Sequence, residues 1–303
     1  MPCESTGADQ MKREYTREDV EHWRDRVHRR MPKRAVRTKE QALGFVNDVG
    51  FCFAFKAENS ELPCLWHAAC GTRNPLVPQH THNDPYLSFV WEMKDILPSE
   101  RRIYYGKLLK RRPTMISLDY LPYFYVLSER TGVPDEYLKE FMRGNLSVTA
   151  KEIMEALNDS SPQVTQGLKI ATGRMSKGDR AEFDRAIAEL QSRMFIVKVG
   201  EQHDPFTFVW APIEQCFPKE LRRARTITVE TARRQILERY FQNQLVATVR
   251  SITRLFRWPK QSVFQSLGQL MRDGVITSTA SVEGEVQQVY CLIDGNSNGR
   301  RTR

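Results

Sequence analysis

Two stretches of the chain repeat one pattern of apolar and polar positions at a constant distance of 80 residues. Each begins with apolar residues every three or four positions, typical of one helix face, and continues with two short apolar runs on either side of a polar stretch. The paired positions are Phe183, Ile187, Leu190, Phe195-Ile196 and Val209-Trp210 in the first stretch, and Val263, Leu267, Leu270, Val275-Ile276 and Val289-Tyr290 in the second. A long helix that continues into a β-hairpin is the second half of a winged helix, whose hairpin is the wing.

Further helical stripes precede each stretch, as the first half of a winged helix requires. In the earlier copy a stripe at 153–157 is followed by a short helix that ends near Gly173. In the later copy the stripes lie at 236–241 and 249–256, and Pro259 stands near the start of the third helix. The pattern predicts two tandem winged helices, over residues 134–218 and 219–294. A series of amphipathic helices with unrelated hairpins is the alternative.

Residues 15–133 lack this repeat and predict a mixed, mainly helical and aromatic-rich N-terminal domain. Thr16 and Thr38 are suitable N-caps for two helices, and Gly50 ends the second of them before an apolar run. Residues 103–116 fit either a helix followed by a strand or a pair of strands. The polar ends, residues 1–14 and the basic 295–303, are predicted to be disordered. The expected fold class is α+β, mainly helical.

Charge points to a polyanionic partner. The chain has 46 Lys and Arg against 37 Asp and Glu, a net charge of +9 and a pI near 9.3, which favours nucleic acid as partner. A mean hydropathy of −0.54 and the lack of an 18-residue apolar run argue against a membrane span. Six scattered cysteines and a polar N-terminus are typical of a reducing cytoplasm, and we expect a cytoplasmic, nucleoid-associated protein without a cofactor.

The candidate phosphate-binding residues lie in one basic run and on the two predicted third helices. The run contains two tyrosines, Tyr104 and Tyr105, which either stack on bases or turn into the core, and the core is favoured. Basic side chains suit phosphates, and glutamines suit base edges. The candidates are Arg101, Arg102, Lys107, Lys110, Arg111 and Arg112 in the run, Lys177 and Arg180 on one third helix, and Lys260, Gln261 and Gln265 on the other.

Four segments resemble AlkZ-related proteins of the winged-helix superfamily of AlkZ-like DNA glycosylases. They are LWHAACG (65–71), WEMKD (91–95), YYGK (104–107) and TMIS (114–117). The resemblance covers about residues 38–293. It implies tandem winged helices around a concave surface that holds DNA, and, in the glycosylases, excision of alkylated or crosslinked bases.

One departure from the family pattern bears on activity. The glycosylases carry Gln-x-Asp or Gln-x-Gln after a glycine, and the similar stretch here begins at Gly50 and places Phe53 and Phe55 at the catalytic positions. Phenylalanine neither accepts a proton nor orients a water molecule. We therefore expect a monomer that binds intact or damaged duplex DNA without excising bases. A glycosylase with a displaced carboxylate and a winged-helix transcription regulator are the alternatives.

A displaced catalytic carboxylate would come from Asp84, Glu92 or Asp95, with Asp119 as a further candidate. These residues flank aromatic segments, where a flipped base could stack and a carboxyl pKa could rise. For Asp95 and Asp119 the alternative, and the favoured role, is helix capping or pairing with the nearby arginines.

Cysteine and histidine also cluster near the N-terminal domain's centre. The cluster comprises Cys64, His67, Cys70, His80 and His82. Its spacing matches no established zinc signature, and we predict no metal site.

Overall fold

The computed structural model describes residues 13–56, 62–78, 83–133 and 135–293. The fold is α+β and mainly helical, as predicted. A short strand and a helix open the described chain, and the helix begins where Thr16 and Asp19 cap each other's backbone amides. These elements are β1 (Arg13–Tyr15) and α1 (Arg17–Val27). The predicted disordered segment 1–14 overlaps β1 at two positions; residues 1–12 and the predicted tail 295–303 lie outside the described residues.

A first unit follows in the order helix, strand, helix, helix, strand, strand. It comprises α2 (Lys39–Val49), β2 (Phe51–Phe53), α3 (Leu65–Cys70), α4 (Pro85–Ser99), β3 (Ile103–Lys107) and β4 (Pro113–Ser117). Thr38 caps α2, and Gly50 ends it with a φ of 75°, a conformation that glycine adopts readily. The ambiguous segment 103–116 is therefore a strand pair.

The same order occurs twice more, where the 80-residue repeat predicts it. Two connecting helices, α5 (Leu121–Leu127) and α6 (Glu136–Met142), lead to the second unit: α7 (Val148–Asp159), β5 (Gln163–Val164), α8 (Thr165–Ala171), α9 (Arg180–Ser192), β6 (Ile196–His203) and β7 (Phe206–Pro212). Two more, α10 (Ile213–Cys216) and α11 (Pro218–Ala224), lead to the third: α12 (Val229–Gln244), β8 (Val246–Thr248), α13 (Val249–Phe256), α14 (Lys260–Arg272), β9 (Ile276–Val282) and β10 (Val289–Leu292).

Each unit builds one small sheet with the same strand order. The unit's last strand lies in the middle and pairs antiparallel with the other two, which gives β2-β4-β3, β5-β7-β6 and β8-β10-β9. The third sheet gains a fourth strand, because β1 pairs in parallel with β9. The helix and hairpin that end the second and third units follow the 80-residue repeat of the sequence, whereas a corresponding first unit was not predicted.

The first and third units share one apolar core. Phe51 of β2 is fully buried, and its ring centroid lies 5.2 Å from that of Phe124 in α5 and 6.0 Å from that of Phe256 in α13. Such edge-on aromatic pairs stabilise beyond the area they bury. The two units are therefore fixed against each other.

Helix α1 is held on the third unit by hydrogen bonds as well as by packing. Trp23 Nε1 donates to the carbonyl oxygen of Gln242 at 3.0 Å, and His28 Nε2 lies 2.9 Å from the carbonyl oxygen of Asn243. Burial and the nearby Arg30 guanidinium lower the pKa of His28 well below its usual 6.5. Burial and the Lys56 ammonium likewise lower the pKa of His67 to about 4.

Because the pKa values of these two histidines are low in the folded protein, we expect acid to lower the free energy of unfolding. Unfolded histidine takes up a proton near pH 6.5, whereas the folded protein keeps both rings neutral until lower pH. Their contribution to the free energy of unfolding is thus fully present above pH 6.5 and is lost as the pH falls below that value, toward about 4 in the case of His67. Urea unfolding at about pH 7.5 and about pH 5.5 should show this loss. His28→Gln should show less of it, and an equal loss in the variant would contradict the assignment to His28.

Within the described residues, no helix has both the length and the apolar composition that crossing a membrane requires.

Candidate nucleic-acid interface

Strand β3 divides the basic run into two groups. Arg101 and Arg102 precede the strand, with Arg101 near Cys216 and Arg102 near Glu40. Lys107 ends the strand, and the remaining three cations, 110–112, lie in the turn before β4. A five-residue strand spans about 16 Å, so the two groups lie on different parts of the surface. Tyr104 between them is fully buried and Tyr105 is half-buried, which confirms their assignment to the core.

The turn between β3 and β4 packs against α13 of the third unit. Leu109 is buried in the shared core with Leu255 of that helix. The Lys110 ammonium is close enough to the Arg254 guanidinium that partial burial and this repulsion lower the Lys110 pKa. The turn and the helix therefore form one continuous basic patch.

We define this patch, the turn–helix surface, as Lys110, Arg111, Arg112, Arg250 and Arg254. Positions 250 and 254 are four apart on α13 and share a face opposite its buried stripe. Within the described part of the chain, Arg111, Arg112, Arg250 and Arg254 form no ion pair. Positive charges without carboxylate partners attract a polyanion, because its binding relieves their mutual repulsion.

Arg250 and Arg254 are not among the candidates predicted from the sequence. The helical spacing could have identified them, because residues 249–256 have an apolar stripe and the opposite face of that helix carries both arginines. Their position beside the turn between β3 and β4 could not be predicted from the sequence.

The candidates on the third helices are exposed, but the two helices differ in charge. On α9, Lys177 lies in the preceding turn and Arg180 is 3.7 Å from the Asp184 carboxylate, so part of its charge is compensated. The first turns of α14 expose Lys260, Gln261 and Gln265.

An exposed aromatic residue, Phe264, stands among the α14 candidates with 53% of its surface accessible. Phe264 is not among the candidates predicted from the sequence. Glutamine side chains suit adenine edges, and an apolar ring suits the thymine methyl group, so this end of α14 has the chemistry of major-groove contact.

The candidate carboxylates have structural partners. Asp84 caps α4, where its Oδ1 accepts from the Leu87 amide at 2.7 Å. Asp95 accepts hydrogen bonds from the ammonium groups of Lys94 and Lys198. Asp95 is thus ion-paired, with lysines rather than the expected arginines, and the capping contact of Asp84 was not predicted.

The two remaining carboxylates lie at the surface. Glu92 is exposed on α4, and Asp119 lies 3.8 Å from the Arg223 guanidinium with most of its side chain in solvent. Neither is enclosed with an aromatic ring in the way that a base-excising carboxylate would require.

The stretch that resembles the glycosylase motif is apolar and internal. Phe53 in β2 is 1% exposed and pairs with Thr114 of β4. Phe55 is half-buried, and its ring lies 5.0 Å from that of Trp91. Neither position offers a group that could activate water.

The cysteine and histidine cluster is only partly described. The thiol of Cys64 is buried and donates to the carbonyl oxygen of Ala54 at 3.7 Å. His80 and His82 lie outside the described residues. Elsewhere, in the described ranges, no three His, Cys, Asp or Glu side chains are grouped to hold a metal ion.

Comparison with known proteins identifies the family. The model of the AlkZ-related family matches residues 36–257. The chain is a member of the AlkZ-related family. Among solved structures, the Streptomyces sahachiroi DNA glycosylase AlkZ is similar, with a TM-score of 0.56 and 12% sequence identity over 90% of this chain and 70% of that chain. At this identity the similarity shows that the AlkZ-related chain has a DNA-glycosylase-like fold. No curated protein matches it in sequence.

Proposed function

We propose that this AlkZ-related protein is a monomer that binds duplex DNA through three tandem winged helices and does not excise bases. The turn–helix surface is the observation that carries the proposal, because four of its arginines, two from the first unit and two from the third, form no ion pair in the described part of the chain: Arg111, Arg112, Arg250 and Arg254. A stable, extended phosphate contact needs such a surface rather than isolated charges.

The repeated topology supports the winged-helix assignment. Residues 39–117, 148–212 and 229–292 each place a first helix, a short strand, two helices and a hairpin in one order, with one strand order. In winged helices the third helix reads the DNA groove and the hairpin contacts its flank. We assign these roles to α14, with Lys260, Gln261 and Gln265, and to α9, with Lys177 and Arg180.

The absence of catalysis is inferred from the apolar strand β2. The AlkZ-related chain has Phe53 and Phe55 where a polar pair would orient water, and Asp84 and Asp95 are engaged in capping and ion pairing. General-base catalysis requires a carboxylate or amide within hydrogen-bond reach of the attacking water.

The test of DNA binding is its dependence on salt. Each phosphate contact contributes about 0.9 to the slope of log affinity against log salt, so five contacts should weaken binding several hundred-fold between about 50 mM and about 200 mM salt. Fluorescence anisotropy of a labelled duplex measures this. Lack of binding at low salt would refute the proposal.

The test of catalysis is base release from alkylated and crosslinked duplexes. We expect no released base above the level of a protein-free control, while the duplexes remain bound. Release that disappears in Asp95→Asn would instead establish a glycosylase with a displaced carboxylate. Selection of one compact operator from random DNA would establish a transcription regulator.

A further inference from the structure

A cleft of about 520 Å³ lies between α1 and the third unit. It is bordered by α1, the start of α13 and the turn of the β9–β10 hairpin. This volume lies within the range of cavities that hold small organic ligands. The cleft opens beside the turn–helix surface, with which it shares two arginines.

One wall of the cleft is cationic. Arg250 and Arg254 of α13 line this wall, and Arg17 of α1 lines the cleft at the hairpin turn. The Arg17 Nε donates to the carbonyl oxygen of Glu283 at 3.1 Å, which fixes the guanidinium at the rim. Arginine presents a planar fork of donors that matches phosphate oxygens.

The cleft is also lined by apolar side chains and, on the hairpin turn, by acidic ones. Val20, Val246 and Val289 are all less than 9% exposed and form a floor without hydrogen-bonding side chains. Glu283 and Glu285 are exposed on the same hairpin turn that Arg17 contacts, and Glu285 Oε1 accepts a hydrogen bond from the Gln287 backbone amide at 3.0 Å.

A third acid, Glu21, also borders the cleft but is already neutralised. Its two carboxylate oxygens each lie 2.8 Å from an arginine, one from Arg24 and the other from Arg30. The acidity that a ligand meets therefore comes from the hairpin rim alone.

This arrangement disfavours a ligand that carries only negative charge. It favours a ligand that has a phosphate at one end and hydrogen-bond donors at the other. A bare phosphate chain would meet repulsion from the hairpin carboxylates. A nucleotide offers a phosphate to the arginines, an apolar ring to the valine floor, and amino or hydroxyl donors to the carboxylates.

We propose that the cleft between α1 and the third unit binds a nucleoside 5′-phosphate, either as a free nucleotide or as the phosphorylated end of a DNA strand. The guanidinium groups of Arg17, Arg250 and Arg254 hold the phosphate. Glu283 and Glu285 accept hydrogen bonds from the base or sugar. This site is separate from groove binding, because it requires no duplex.

Isothermal titration of the full chain with adenosine 5′-monophosphate tests the proposal. We expect a Kd of about 1 mM or tighter, at least tenfold weaker binding of adenosine, and weaker binding of inorganic phosphate, which cannot reach the valine floor. A parallel arm compares duplexes with 5′-phosphate and 5′-hydroxyl ends. A preference for the phosphorylated end identifies the strand end as ligand, and equal affinities with nucleotide binding identify the free nucleotide.

Variants separate this site from the DNA surface. Arg250→Gln with Arg254→Gln should reduce nucleotide affinity about tenfold per arginine, since each charge-assisted contact contributes about 1.4 kcal/mol or more. Arg143→Gln, which replaces an exposed arginine outside the cleft and outside the DNA surface, should leave nucleotide affinity unchanged. Duplex binding should weaken, and nucleotide affinity should stay unchanged, in the triple variant Lys110→Gln, Arg111→Gln and Arg112→Gln.

Absence of both nucleotide binding and end preference would overturn the proposal while leaving duplex binding intact.

Discussion

Duplex binding by the AlkZ-related protein should fall several hundred-fold at about 0.1 M salt when Lys110, Arg111 and Arg112 are all replaced by glutamine. Each lost phosphate contact removes about 0.9 log units of affinity at this concentration, and the salt slope should become shallower by about three. Glutamine retains a Cβ and a flexible stem, so the left-handed backbone at positions 110 and 111 is not strained further. Anisotropy across a salt series measures both quantities.

A matched control removes the same net charge from cations that are already paired. Arg143 and Arg193 both contact Glu140, and Lys151 contacts Glu155. Their replacement by glutamine should alter duplex affinity only slightly, because a compensated cation contributes little to the local field. If both triple variants weakened binding equally, net charge rather than the turn–helix surface would explain the affinity.

Arg130→Met should lower the free energy of unfolding by about 3–5 kcal/mol, because it leaves two carboxylates without their cation. The Arg130 side chain is 5% exposed, with its Nε 2.9 Å from Glu136 and a terminal nitrogen 2.6 Å from Glu214. Its other terminal nitrogen donates to the carbonyl oxygen of Met194 at 2.8 Å, and its guanidinium lies 3.5 Å from the Phe195 ring centroid. This one side chain thus joins the connecting helices to the second unit.

Urea unfolding followed by circular dichroism measures the loss. Arg143→Met removes an arginine that is 69% exposed and is expected to change stability by less than about 1 kcal/mol. A loss in Arg130→Met no larger than in this control would show that the buried pairs contribute nothing beyond a surface pair.

The second and third units could be predicted because their third helices have regular apolar stripes. Phe183, Ile187 and Leu190 are all buried, as the helical spacing predicts. The first unit gave no such signal. Its second helix, α3, has only six residues, and four of them are buried on several sides, so that no period is visible.

The hairpin of the first unit was ambiguous for a related reason. Its turn has positive φ values at Lys110 and Arg111. Lysine and arginine do not indicate a turn in a sequence, whereas glycine or asparagine would. The strand pair could therefore not be distinguished from a helix by local sequence.

For the candidate nucleic-acid interface, the types of residue could be predicted from the sequence, but their positions in space could not. Charge alone identified the basic run, but the β-strand within it, which divides the run, became evident only once the pairing of β3 with β4 was known. The capping role of Asp84 was readable from the proline that follows it, whereas the Lys198 partner of Asp95 lies on a strand of another unit.

The parallel pairing of β1 with β9 has a consequence for synthesis of the chain. Segment 13–27 leaves the ribosome long before 276–282, and until then it lacks the strand and helix on which it lies. Conversely, the completed third unit would present β9 as an open sheet edge, a template for association between molecules, until the early segment returns to cover it. The N-terminal segment can therefore close only after β9 has been made, and its closure shields the edge from other copies of the protein.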